Sequence, residues 1–129
     1  MSIQVQSLDH VTIVVSDLAA TRRFYVELLG MQEVARPKFS FAGQWFQAGA
    51  TLIHTNLASD ETGPAGTGAW HKPRGHHFAF LIDDCRRAGD ELQRSGVVFA
   101  SPPKQRPDGY WQLFVQDPDG YLVELCSKT

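Results

Sequence analysis

Four residues whose side chains can bind a metal ion or move a proton stand at matching positions of an internal repeat. His10 begins the run HVTIVVSD, and His77 begins the similar run HFAFLIDD. Near the end of each half, the matching strings LIHT and LVEL align His54 with Glu124. Because successive residues of a strand point to opposite faces, the repeat selects His77, and not its neighbour His76, as the partner of His10.

Glu124 is unusual because it lies within the apolar strand YLVELC, with no lysine or arginine beside it on the strand. An unpaired carboxylate is costly to bury, and buried charges are normally paired or bind a metal. Histidines with one carboxylate suit Zn, Fe, Ni, Mn or Co, and an incomplete set of protein ligands leaves room for water or substrate. The alternative is that each histidine is structural or exposed and that Glu124 lies on a solvent-facing edge.

The elements that would position these residues form two similar modules, each in the order βαβββ. Asp17 is the expected N-cap of a helix ending at Gly30, and Asp83 or Asp84 that of a helix ending at Gly96. We expect further strands near residues 32–37, 38–47 and 50–56 in module one, and near 97–100, 110–116 and 121–127 in module two. The fold class is therefore α+β, as one domain with module one at 1–57, a glycine-rich linker loop at 58–75 and module two at 76–129.

The bulk composition narrows the classes of partner. The 129 residues carry a formal net charge of −2, with both signs interspersed, which gives no argument for nucleic acid or an anionic membrane. No run of about 18 apolar residues is present, and the start MSIQVQSLDH lacks the features of a signal peptide. Cys85 and Cys126 have neither metal-type nor redox-type spacing and are interpreted as free thiols. We expect a cytoplasmic enzyme or binding protein.

The chain resembles the vicinal oxygen chelate superfamily, which includes glyoxalase I, fosfomycin resistance proteins, bleomycin-binding proteins and extradiol dioxygenases. The stretches that carry the resemblance are LDHVTIVVSDLAATRRFYVELLGM, GHHFAFLIDD and DGYWQLFVQDPDGYLVEL. The resemblance implies that the two modules form a curved, cup-shaped mixed sheet with a metal ion at its base. It places His10, His77 and Glu124 on metal-ligand positions of the family. His54 stands at the remaining ligand position, where glyoxalase-like members often carry Glu or Gln.

This resemblance implies a metal-dependent enzyme that acts on a small oxygen-bearing substrate by lyase or isomerase chemistry. The ion would be a divalent Zn, Fe, Ni, Mn or Co, and Glu124 or His54 would be the base. Because the usual pair of carboxylates is absent, ordinary glyoxalase I activity is not expected. The alternatives are an extradiol-type ring-cleaving dioxygenase and a resistance protein that sequesters a ligand without catalysis. A homodimer is expected, with the metal site within one chain or across two.

Aromatic and cationic side chains supply the candidate substrate contacts. Tyr110, Trp111, Trp45 and Arg74 are the candidates selected here. Further aromatic residues that could line the cup are Phe39, Phe41, Phe46 and Trp70. For each aromatic residue the alternative is a place in the core or in a dimer interface, and for Arg74 an ordinary surface charge.

Overall fold

The computed structural model describes residues 2–65 and 72–129, and the chain forms two compact units, Met1–Pro64 and Ala65–Thr129. Each unit contains one four-stranded mixed sheet and one helical region, which confirms the predicted α+β class. The boundary between the units falls within the expected linker at 58–75. Residues 66–71 of that linker, with Trp70, lie outside the described residues.

The first unit has the predicted order βαβββ. Its elements are β1 (His10–Val15), α1 (Leu18–Arg22), a π-helical segment (Arg23–Leu28), β2 (Gln32–Val34), β3 (Gly43–Ala48) and β4 (Thr51–Leu57). The strand order in the sheet is β1-β4-β3-β2, with β1 and β4 parallel and the other pairs antiparallel. His10 is therefore the first residue of an edge strand, and His54 lies in the strand beside it.

The helix of the first unit begins as predicted and then winds differently. The Asp17 carboxylate accepts a hydrogen bond from the amide of Ala20, and Gly30 ends the helix at a φ of 80°. The π-helical winding of Arg23–Leu28 was not predicted, because an apolar pattern does not distinguish it from an α-helix. The adjacent residues Phe24 and Tyr25 of this segment are both buried.

The second unit repeats this topology. Its elements are β5 (Phe78–Leu81), α2 (Cys85–Arg94), β6 (Phe99–Gln105), β7 (Trp111–Gln116) and β8 (Leu122–Ser127), in the sheet order β5-β8-β7-β6. Asp84 is the N-cap of α2, where its carboxylate accepts from the amide of Arg87. The predicted free thiols are both present, and burial raises the pKa of Cys85 to about 11. No described helix reaches the length and apolarity that a membrane crossing requires.

Three strands differ in extent from the prediction. β3 begins at Gly43, whereas its predicted strand began near residue 38. β2 stops at Val34, whereas β6 runs from Phe99 through Pro102 and Pro103 to Gln105, well beyond the expected 97–100. Prolines are tolerated in β6 because it is an edge strand, and the register against β7 shifts on each side of Ser101. The longer strand brings Arg106, the next residue, into the neighbourhood of β8.

Candidate functional site

The two pairs of predicted site residues occupy the same register in the two sheets. His54 of β4 lies opposite Thr12, two residues after His10, and Glu124 of β8 lies opposite Ala79, two residues after His77. On the other side, His54 faces Trp45 of β3 and Glu124 faces Phe114 of β7. The repeat seen in the sequence is therefore also a repeat of strand pairing.

In the first unit, three rings form a continuous stack. The His10 and His54 ring centroids are 3.9 Å apart with an angle of 11° between the planes, and those of His54 and Trp45 are 4.1 Å apart with an angle of 3°. His54 is thus held between two flat neighbours on the sheet face that it shares with Trp45. This contact fixes the plane of its ring.

His54 carries a ring nitrogen whose hydrogen-bonding capacity is unused. Its Nε2 atom is buried and has no hydrogen-bond partner among the described residues. Burial, and then the nearby His10, lower the pKa of His54 below its ordinary value of 6.5. A lowered pKa keeps the imidazole neutral near pH 7, which is the form that binds a metal or accepts a proton.

His10 is oriented by its neighbour in sequence. Its Nδ1 atom lies 2.8 Å from the Asp9 carboxylate, and 41% of its side chain is exposed. A carboxylate on one ring nitrogen is typical of metal-ligating histidines, because it fixes the tautomer and leaves the other nitrogen for the ion. The arrangement suits a metal ligand, although exposed histidines form such pairs as well.

In the second unit, His77 has a hydrogen-bond acceptor at each ring nitrogen. Nδ1 lies 3.1 Å from the carbonyl oxygen of Gly75, and Nε2 lies 3.0 Å from Oε1 of Glu124. A neutral imidazole has only one N–H, so one of these contacts needs an added proton or a cation. The His77 side chain is 24% exposed, and that of Glu124 is 7% exposed.

Glu124 has a basic neighbour that the sequence did not reveal. Its Oε2 atom accepts a hydrogen bond of 3.1 Å from Nη1 of Arg106, which follows β6. Asp108 in turn accepts hydrogen bonds from Nε and Nη2 of Arg106. No lysine or arginine stands beside Glu124 on its own strand, and the basic partner is instead a residue distant in sequence that reaches it across β7.

The donor atoms fit a divalent metal ion in their chemistry. Three imidazoles and one carboxylate are ligands that suit first-row metals. Of the two Glu124 oxygens, Oε2 accepts a hydrogen bond from Arg106 and Oε1 faces His77. Nε2 of His77 and Oε1 of Glu124 lie 3.0 Å apart, so these two atoms would be the donors of the second unit to an ion. Each unit supplies one pair, and no group of three or more suitable side chains occurs within 2–65 and 72–129.

The four predicted substrate-contact residues lie in different environments. Trp45 belongs to the ring stack of the first unit, and Tyr110 packs beneath Arg106, whose guanidinium lies 5.0 Å from the ring centroid. Trp111 packs against Arg86 of α2, on the sheet face opposite to Glu124, which argues against contact with a ligand there. Arg74 is exposed.

Of the remaining aromatic candidates that the structure describes, one is buried in the core and two are partly exposed to solvent. Phe46 is fully buried and packs against Tyr25, so it belongs to the core of the first unit. Phe39 and Phe41 are 43% and 48% exposed. These two rings therefore remain available to a ligand, whereas Phe46 does not.

Comparison with known proteins gives a consistent set of relatives. Residues 7–125 match the model of the Glyoxalase/Bleomycin resistance protein/Dioxygenase superfamily. A protein of Synechocystis named "Probable lactoylglutathione lyase" is 30% identical over 124 residues, which cover 93% of this chain and 94% of the relative. The protein "Glyoxylase I 4" of Arabidopsis thaliana is 27% identical, over 94% of this chain and 70% of its own.

Solved structures agree on the fold. The fosfomycin resistance protein FosX from Listeria monocytogenes matches with a TM-score of 0.74 at 20% identity, over 98% of this chain and 96% of its own. A superfamily member from Sphaerobacter thermophilus matches with a TM-score of 0.73 at 24% identity, over 95% of this chain and 98% of its own. At these identities the likeness shows the fold alone.

Proposed function

The chain belongs to the Glyoxalase/Bleomycin resistance protein/Dioxygenase superfamily, and from that membership we propose that it is a metal-dependent enzyme acting on a small oxygen-bearing substrate by lyase or isomerase chemistry. The proposed metal ligands are His10, His54, His77 and Glu124. That the two pairs bind one ion rests on the repeat in the sequence and on the family resemblance. A bound divalent ion would supply positive charge for the negative charge that develops on a substrate oxygen.

The observation that carries this proposal is the contact of His77 with two acceptors. If Nδ1–H donates to the Gly75 carbonyl, the lone pair of Nε2 faces the Glu124 carboxylate at 3.0 Å. Two lone pairs at that distance repel each other unless a positive charge lies beside both. A divalent cation removes the repulsion, and Arg106 keeps the carboxylate in place through its other oxygen.

Of the two candidate bases, His54 has the better surroundings for proton transfer. Both oxygens of Glu124 are engaged, one by His77 and the other by Arg106. His54 is kept neutral by its lowered pKa, and its Nε2 has no partner among the described residues. An imidazole nitrogen bound to a metal cannot accept a proton, so His54 is either a fourth ligand or the base. We therefore assign proton transfer at a substrate carbon to His54 in a form where His10, His77 and Glu124 hold the ion, and keep Glu124 as a ligand and the second candidate base. The functional form is proposed to be a homodimer.

Elemental analysis of the purified protein tests the metal site. We expect a first-row divalent metal in the wild type and its loss in His77→Ala, because that variant removes one donor and the partner of Glu124 Oε1. The matched control is His76→Ala, which changes the same residue type one position away and retains the metal. Metal retained in His77→Ala, or lost only from His76→Ala, would overturn the ligand assignment.

A second candidate function, sequestration of a ligand without catalysis, is favoured by one observation. Arg106 neutralises Glu124 without any metal, and a protonated His77 would complete a stable cluster. This candidate predicts a purified protein that stays free of metal when Zn, Ni, Mn, Fe or Co salts are supplied, and that still binds an aromatic ligand tightly. A protein that contains metal and loses it in His77→Ala excludes this candidate.

A further inference from the structure

Arg36 lies in the segment 35–42 between β2 and β3, and its guanidinium packs on two phenylalanine rings. Its Cζ atom is 4.7 Å from the ring centroid of Phe39 and 5.1 Å from that of Phe41, and the two rings stack on each other at 5.1 Å. Gly43 provides the space beside it, because a Cβ atom there would meet Nη2 of Arg36 at 3.0 Å and Cζ at 3.2 Å. The guanidinium is therefore held in place by packing.

Among the residues that the structure describes, Arg36 has no acceptor for one of its buried donors and no counterion. Its Nη2 donates to the carbonyl oxygen of Phe41, whereas Nε is buried without an acceptor in the part of the chain described. Arg22, Arg87 and Arg106 each form an ion pair with a carboxylate, but Arg36 forms none with a described residue. A buried donor without an acceptor is costly, and more so if it is charged, so the position suits an acceptor brought by a ligand.

The rings around Arg36 continue toward the proposed catalytic histidine. Phe39 lies 6.3 Å from Trp45 between ring centroids, and Trp45 stacks on His54 at 4.1 Å. Phe39 and Phe41, at 43% and 48% exposure, leave part of this aromatic row open to solvent.

From this arrangement we propose that the substrate is a small carboxylate attached to a flat, unsaturated group. The carboxylate pairs with the edge of the Arg36 guanidinium, since both faces of a planar fork can stack while its N–H groups still donate in the plane. The flat group lies against the part-exposed ring of Phe39 beside Trp45, where aromatic rings favour a planar partner. This assignment rests on the proposed function and names the substrate class of the same site.

The test is a calorimetric titration of the protein, at measured metal content, with benzoate as the minimal probe. We expect Arg36→Gln to weaken benzoate binding about tenfold or more, because a hydrogen bond between charged groups is lost. Lys38→Gln removes the same charge from the same segment and is the matched control, with unchanged binding expected. Arg36→Lys keeps the charge without the planar fork, and intermediate binding is expected.

Two further probes separate charge from shape. Cyclohexanecarboxylate keeps the carboxylate without a flat ring, and benzyl alcohol keeps the ring without the charge, so both should bind more weakly than benzoate. The inference is overturned if wild-type protein does not bind benzoate, if Arg36→Gln binds it as well as Lys38→Gln does, or if either probe matches it. Metal content reports separately on the proposed function, since Arg36→Gln should retain the metal and His77→Ala should lose it.

Discussion

A carboxylate with 7% of its side chain exposed needs positive charge nearby, and Glu124 receives it from Arg106. Arg106 uses Nη1 for Glu124 and its Nε and Nη2 for Asp108, so the guanidinium is itself fixed at both ends. In this account Arg106 is a positioning residue. It orients the carboxylate without occupying the oxygen that faces His77.

Arg106→Ala tests that role. We expect the free energy of unfolding to fall by about 2 kcal/mol, since the variant leaves a buried carboxylate with one partner fewer. A saturating divalent metal should recover part of this loss, because the ion would again neutralise Glu124. The measurement is urea unfolding with and without metal.

Arg87→Ala is the matched control for this variant. Its partner, Asp83, is 78% exposed, so the loss of stability should be much smaller than that of Arg106→Ala. Equal losses in the two variants would show that Glu124 does not depend on Arg106. No effect of metal on Arg106→Ala would contradict the placement of an ion at Glu124.

The candidate ligands could be predicted from the sequence because they stand at equivalent positions of the internal repeat. His54 and Glu124 were paired by aligning two short strings, and the strand register confirms their equivalence. Arg106 could not be found in that way. It lies 18 residues from Glu124, just after two prolines that made the strand before it resemble a loop. The ion pair between Arg106 and Glu124 forms only when β6, β7 and β8 are paired in the sheet. No local sequence pattern indicates that pairing.

At the scale of elements, α2 and β6 approach each other closely at Gly89. A Cβ atom at this position would lie 2.5 Å from Cγ of Pro103 and 3.7 Å from Leu113. The glycine in the middle of α2 therefore permits the close contact between helix and sheet. Its lower helix propensity, about 1 kcal/mol relative to alanine, is the cost of that approach.

Gly89→Ala is expected to destabilise the protein by about 1–2 kcal/mol despite the gain in helix propensity, because the added Cβ meets a proline ring that is closed onto the backbone and cannot rotate away. Gly63→Ala is the control, since a Cβ atom there meets nothing within 4 Å, and a change within about 0.5 kcal/mol is expected. Thermal unfolding of both variants provides the measurement. A more stable Gly89→Ala protein would contradict the contact with Pro103.

Helix ends were predictable from local chemistry, whereas strand ends were less so. Asp17 and Asp84 cap helices by hydrogen bonds to backbone amides three residues away, and Gly30 and Gly96 end the helices by their own positive φ. Each of these interactions lies within a few residues, so it can be predicted from the local sequence. The length of β6 depends on its position at the sheet edge, where a proline loses no required hydrogen bond. That position is known only after the strands are ordered.

At the scale of the whole molecule, the two units each hold one pair of candidate ligands in the same register. Neither pair alone provides the three or four protein donors typical of a metal site, and no larger group occurs in the described ranges. One shared ion therefore requires a contribution from both units, within one chain or across a homodimer. The alternative is two separate pairs that serve structural purposes.

A metal titration of chelator-treated protein distinguishes these possibilities most directly. Zn²⁺ and Ni²⁺ are titrated into the wild type, His10→Ala from the first unit and Glu124→Gln from the second, with the exposed Glu91→Gln as control. Altering an outer partner of a ligand costs about 10–100-fold in affinity, so loss of a ligand should cost at least as much. The account predicts one ion bound per chain in the wild type and the control, with both site variants weakened together. Full affinity in either site variant, or no binding by the wild type, would contradict it.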